Sequence, residues 1–153
     1  MVNVLFVCIG NSCRSQMAEA LAQQLGDGRL RAWSAGSAPL GEITPLTYEV
    51  LREKGLDLEG HWSKGLRDVP VEKMDVVVGM GCEVHCPVPA GFKGMRIEWN
   101  IPDPYGRDVT YFRSVRDLIE RQVRTLLHEL DEHHKTIEVV PPKLETKRTT
   151  NKT

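Results

Sequence analysis

The sequence predicts an α/β fold, a mostly parallel sheet with helices on both faces. Three observations point there. Short β-branched apolar runs alternate along the chain with longer stretches of helical period. The first run, residues 2–7, is almost continuously apolar, as strands buried on both faces are. And Cys8, Cys82 and Asp103 each follow closely after a predicted strand, on the edge where ligands bind in such sheets.

Taken in order, residues 2–7 form the first strand, ended by Cys8. Gly10 and Asn11 follow, residue types that tolerate unusual backbone angles. From about Ser15 to Leu25 the period becomes helical, with Met17, Ala18, Leu21, Ala22 and Leu25 on one face. Gly26 and Gly28 bracket Asp27 and stop the helix. Residues 30–34 form a second strand. Residues 45–54 form a second helix, with Thr44 as N-cap and Pro45 at the first helical position. Leu46, Val50 and Leu51 face inward.

Residues 56–73 are polar and irregular, with a short helix near 63–68. Residues 74–78 form the third strand and 95–99 the fourth. Between them, residues 79–94 hold two prolines and four glycines, which exclude a long regular helix. Residues 101–106 are a loop with Pro102 and Pro104. The longest helix runs from Val109 to about Glu132, with Phe112, Val115, Ile119, Val123, Leu126, Leu127 and Leu130 on its apolar side. His128, His133 and His134 fall near its end, where cationic side chains complement the helix dipole. Trp62 and Trp99 read as packing residues.

At 153 residues the chain predicts one domain, residues 1–135, followed by a disordered tail over 136–153. The net charge of −1 excludes a global field for nucleic acid or an anionic membrane, so any anion site must be local. No stretch approaches a membrane span, and the N-terminus lacks a secretory signal pattern. The expectation is a cytoplasmic monomer that binds neither nucleic acid nor membrane. In a reducing compartment Cys8, Cys13, Cys82 and Cys86 read as catalytic or metal-binding rather than structural.

The chemistry starts in the first loop. Cys8 stands at a strand end and Arg14 opens the next helix, a C-x5-R spacing. A helix N-terminus, inward-facing backbone N–H groups and an arginine together favour a thiolate over a thiol. The same donors suit a tetrahedral oxyanion. They come from Ile9, Gly10, Asn11, Ser12, Cys13, Arg14 and Ser15, with Arg14 gripping two oxygens through its planar fork. The Ser15 hydroxyl can donate to the Cys8 sulfur. The alternative is a buried structural Cys8 with Arg14 as a surface charge.

Residues 7–19, VCIGNSCRSQMAE, resemble the phosphate loop of the low molecular weight protein tyrosine phosphatase superfamily. The portion GNSCRSQMAE more closely resembles its thioredoxin-coupled arsenate reductases. Trp33-Ser-Ala-Gly36, Ile43-Thr-Pro-Leu46, Lys54-Gly-Leu-Asp57 and Asp103-Pro104 agree, so that the resemblance covers roughly residues 2–130. It implies a four-stranded parallel sheet with flanking helices, Cys8 as nucleophile, Arg14 as anion binder and Asp103 as general acid. Read alone, Asp103 also suits an Asx-turn that only shapes its loop. Tyr105 lines the mouth or is a plain exposed loop residue.

Both branches of the superfamily would share these residues. The segment after the third strand separates them. Cys82-Glu-Val-His-Cys86 running into Pro87-Val-Pro89 resembles the redox segment of the reductases. The resemblance then implies Cys82 as resolving thiol, Cys86 as second resolving thiol and an external thioredoxin or glutaredoxin system as reductant, with no tightly bound cofactor. The three residues between Cys82 and Cys86 are a shorter spacing than those reductases carry. The pair closes only if the segment coils, because a disulfide needs Cα atoms ~4.4–6.8 Å apart and an extended segment would span about 13 Å. Two alternatives stay open: incidental thiols on a phosphatase, and a zinc site with His85 and His61. Cys13 reads as a protective partner of Cys8 or as a buried small residue. Glu19, Asn11 and Ser34 match positions around a potassium ion in some of these reductases, but Lys64 stands where an acidic residue would complete the set. The expectation is no metal, with Lys64 either replacing the cation or solvated at the surface.

Overall fold

The computed structural model describes residues 1–81 and 92–139, with side chains through Glu132. The elements are β1 (Val2–Cys8), α1 (Arg14–Gly26), β2 (Leu30–Gly36), α2 (Pro45–Arg52), two 3-10 turns (Leu66–Asp68 and Val71–Lys73), β3 (Val76–Met80), β4 (Met95–Trp99) and α3 (Val109–Val139). The strands form one parallel sheet in the order β2-β1-β3-β4. β1 is therefore central, and Val4 to Cys8 are buried on both faces, which is why that run shows no polar alternation.

Alternate residues of β1 face two different apolar clusters. Val4, Phe6 and Cys8 pack with Met17 and Leu21 of α1, Val50 and Leu51 of α2, and Phe112, Ile119 and Val123 of α3. Leu5 and Val7 pack with Val77 of β3 and with Val69, Val71 and Met74. Helices thus cover both faces as expected, the three α-helices on one and only the two short 3-10 helices on the other. Phe6, fully buried beside Trp99 with ring centroids 5.7 Å apart, is the largest apolar contribution from β1; truncating it to alanine costs about 3–5 kcal/mol.

Several elements differ from the sequence reading. β3 begins two residues late, because the Met74 N–H is taken by Val71 O in a local turn. Pairing starts at Asp75, whose N–H donates to Asn3 O and whose carboxylate accepts the Asn3 N–H. Thr44 precedes α2 in an extended conformation but makes no side-chain cap; its hydroxyl turns to Thr47 and the Ser12 carbonyl. At the end of α1 the left-handed position falls on Asp27, φ 46°. Trp62 is 54% exposed and is not a packing residue, unlike Trp99. α3 continues to Val139, past the predicted end near Glu132, since neither glycine nor proline interrupts it before Pro141. His128 therefore lies within the helix. Most of the predicted tail, residues 140–153, lies outside the described residues. Among the described residues no helix is long and apolar enough to cross a membrane.

Candidate active site

Cys8 is the last residue of the central strand and Arg14 the first of α1. The five residues between them must reverse direction in a buried place, so their backbone polar groups need partners. The carbonyls have them. Cys8, Ile9 and Gly10 carbonyls accept the N–H groups of Ser37, Ala38 and Leu40. The Ser63 hydroxyl also donates to Gly10 O, and the Thr47 hydroxyl to Ser12 O. Gly36 makes this docking possible, because a Cβ there would lie 2.6 Å from Ile9 O. Asn11 takes φ 50°, a left-handed angle that asparagine tolerates.

The N–H groups are the other half of the loop. Those of Gly10 to Arg14 donate to no partner among the described residues. Gly10, Ser12, Cys13 and Arg14 line, with Cys8 and Ile9, a pocket of roughly 210 Å³ that Asp103 and Tyr105 also line. That volume is small for a drug-sized ligand. Buried N–H groups without an acceptor are rare, and a cluster at a helix N-terminus is an anion receptor.

Arg14 completes it. The residue is 4% exposed, too buried for the surface charge weighed above. Nη1 donates to the carbonyls of Met80 at 2.6 Å and Ile101 at 3.0 Å. Both Nη1 hydrogens are thereby used, leaving Nε and Nη2 as the edge available to an oxyanion. Nη2 lies 3.7 Å from Asp103 Oδ2. The other Asp103 oxygen, Oδ1, accepts the Tyr105 N–H at 3.1 Å. Asp103 thus both shapes its loop and faces the pocket, and its side chain is half exposed.

Around the sulfur, hydrogen-bond directions can be worked out. Gln16 Nε2 donates to Asn11 Oδ1 at 2.9 Å and to Trp62 O at 3.0 Å, so its amide orientation is fixed. Asn11 Oδ1 also accepts the Lys64 N–H. Asn11 Nδ2 must then donate to Ser15 Oγ, 2.7 Å away. Ser15 keeps its own hydrogen for Cys8 Sγ at 2.9 Å, an arrangement suited to a sulfur carrying negative charge. His61 Nδ1 lies 3.1 Å from Gln16 Oε1, which fixes it as the donor.

Lys64 is partly buried in the same cluster, its side chain 11% exposed. Its Nζ lies 3.2 Å from Ser34 Oγ, 3.3 Å from Trp62 O and 3.8 Å from Glu19 Oε1. Burial pushes its ammonium pKa down, opposed by the Glu19 carboxylate. It is not a solvated surface residue. Cys13 is a buried free thiol next to Thr44, and burial pushes its pKa up, which keeps it protonated. Cys82, Cys86 and His85 lie outside the described residues. Gln16, Thr47 and Ser63 were not foreseen. Thr47 and Ser63 are lone polar residues in sequence whose bracing only long-range folding reveals, whereas Gln16 reaches back to Asn11 from within the recognised stretch.

A family description, low molecular weight phosphotyrosine protein phosphatase, matches residues 3–136. The chain is 33% identical over 131 residues to a glutaredoxin arsenate reductase of Synechocystis, covering 85% of this chain and 99% of that one. Among solved structures it resembles an arsenate reductase in the phosphate binding state, with TM-score 0.76, 31% identity and coverage of 84% and 98%. It also resembles a mutant arginine phosphatase with a phosphorylated active-site serine, with TM-score 0.74, 28% identity and coverage of 85% and 96%.

Proposed function

The chain belongs to the low molecular weight phosphotyrosine protein phosphatase family, and from that membership and its arsenate reductase relatives we propose that it reduces arsenate to arsenite. The loop of residues 9–15 binds the oxyanion through its N–H groups and the Nε/Nη2 edge of Arg14. Cys8 attacks arsenic. An S–As bond forms and an As–O bond breaks, with Asp103 protonating the departing oxygen so that it leaves as water. The Cys82 thiolate then attacks the Cys8 sulfur. The S–As bond breaks with its electron pair on arsenic, which passes from As(V) to As(III) and leaves as arsenite. The two sulfurs are oxidised to a disulfide. Cys86 attacks Cys82 and frees Cys8, and an external dithiol of thioredoxin or glutaredoxin type reduces the Cys82–Cys86 bond while becoming oxidised itself. Phosphate stops at the adduct, because phosphorus(V) does not readily accept that electron pair.

One observation carries the reductase reading beyond the anion site. Arg14, which would hold the adduct, donates to the carbonyl of Met80. Cys82 is two residues further along, and two residues span at most about 7 Å. On the proposed reading, the segment that leaves the site at Met80 and Gly81 is the one that carries the resolving thiol. The redox cycle needs a reducing compartment, so the proposed location is the cytoplasm. Cys8, Arg14 and Asp103 come from one chain, so a monomer suffices.

The second reading is hydrolysis of phosphotyrosine through a cysteinyl-phosphate. It is favoured by the exposed Ile9, Leu40 and Tyr105 beside the pocket, a rim suited to an aryl group. Steady-state arsenate reduction with thioredoxin, thioredoxin reductase and NADPH, repeated with a glutaredoxin system, decides between them. Wild type should turn over and Cys82→Ser should not. Equal rates in the two proteins would remove the relay. Brisk hydrolysis of aryl phosphates with arsenate inert would make the phosphatase reading the correct one.

A further inference from the structure

Six glycines among the described residues have positive φ: Gly28, Gly41, Gly55, Gly60, Gly81 and Gly106. At five of them a Cβ would meet nothing within 4 Å, so glycine is needed there for its backbone angle alone. Gly81, φ +87°, is different. A Cβ built on it falls 2.5 Å from Arg14 Nη1 and 2.9 Å from the Ile101 carbonyl oxygen. These two atoms are hydrogen-bonded to each other, and Arg14 Nη1 also bonds the carbonyl of Met80, the residue before Gly81.

We infer that Gly81 is a positioning residue for Arg14: its missing side chain is the space in which the guanidinium seats on the Met80 and Ile101 carbonyls. This rests on the reading of Arg14 as the oxyanion clamp. A guanidinium is planar, so fixing Nη1 on two carbonyls also fixes where Nε and Nη2 point. A methyl group at residue 81 would push Nη1 off at least one carbonyl. Arg14 is nearly fully buried, so the displaced N–H groups would have no water to turn to. They would have to compete for the acceptors in the pocket, with the donor edge rotated away from the anion. An oxyanion bound by a misaligned fork loses about one charge-assisted hydrogen bond, roughly a tenfold weakening.

Gly28→Ala is the matched control, since Gly28 has φ +86° and open space around it. Phosphate binding measured by titration calorimetry should weaken about tenfold in Gly81→Ala and stay near the wild-type value in Gly28→Ala. KM for arsenate should rise with the phosphate Kd, with kcat changed less. Thermal unfolding closes the cycle without any ligand. Gly81→Ala should lose more Tm than Gly28→Ala, and in an Arg14→Ala background that excess should shrink to the part set by the Ile101 carbonyl. If Gly81→Ala does not fold alone, recovery of a cooperative transition in the double variant is the same result. Equal phosphate affinities in the two alanine variants, or an excess loss undiminished without Arg14, would overturn the inference. Should wild type bind no phosphate at all, the oxyanion reading fails, and the thermal cycle still decides the role of Gly81.

Discussion

The Cys8 loop and the Asp103 loop meet in one pocket and are built in opposite ways. In the first, Asn11, Ser12, Arg14 and Ser15 are buried, and the side chains of Gln16, Thr47 and Ser63 brace the backbone. In the second, Asp103 is half exposed and held by one Asx-type bond between Pro102 and Pro104. The difference suits the two tasks proposed for them. Donors for a developing negative charge act best when already in place, because reorganising them during reaction raises the barrier. A proton donor must regain its proton from solvent after each cycle, and burial would obstruct that.

Substitution in the exposed half should have the largest kinetic effect and the smallest structural one. Asp103→Asn should lower kcat by about 10²–10⁴-fold while phosphate affinity and Tm change little, in steady-state and calorimetric assays. A fall of less than about tenfold would mean that Asp103 only shapes its loop. In the braced half, Asn11→Ala removes the left-handed-tolerant residue and its bonds to Ser15, Gln16 and Lys64. Urea unfolding should register a loss of about 2–4 kcal/mol, and kcat/KM should fall by up to about 100-fold through misplacement of Ser15 and the loop. An Asn11→Ala protein of unchanged stability would contradict the bracing.

A charge cluster remote from both loops sharpens the contrast. The Glu53 carboxyl is held down to about 2 by hydrogen bonds from Arg113 and then Arg116. A depressed carboxylate stabilises the fold above its unfolded value, near the ordinary 4.5, and loses that contribution as pH falls toward 2. The Tm gap between wild type and Glu53→Gln should therefore be fully open at neutral pH, narrow below about 4.5 and close near 2, shrinking in high salt. Activity at neutral pH should not change. The smallest effect is expected from exchanging potassium for sodium. Lys64 already supplies the positive charge beside Glu19 and Ser34, so kcat and KM should match in the two salts. A marked loss in sodium would mean that Lys64 does not replace the cation.

Much of this was legible in local sequence. β1, the loop after it and β4 are short segments whose residue types alone restrict the backbone. The start of β3 was not, because Met74 is as apolar as a strand residue and only its turn bond to Val71 keeps it out. Trp62 misled for the opposite reason: its backbone carbonyl serves the buried network while its ring is exposed. The bracing residues Thr47 and Ser63 left no local trace, because their partners lie tens of residues away and a lone threonine or serine looks like surface; Gln16 stood inside the recognised stretch but without an assigned role. Arg14 was legible as an anion binder from C-x5-R, but not the two carbonyls that set its orientation.

The central position of β1 bears on how such a protein can diversify. Nearly all the bracing of the Cys8 loop comes from residues 16–64, on the β2 side of the sheet. The β3 and β4 side contributes two carbonyls to Arg14 and one carboxylate. The chain is thus divided into a socket and an interchangeable tool. Insertions, cysteines or new loops after β3 can accumulate without dismantling the socket, provided Gly81 keeps its place beside Arg14. On the proposed reading, the choice between ester hydrolysis and two-electron reduction would then rest on that single connection.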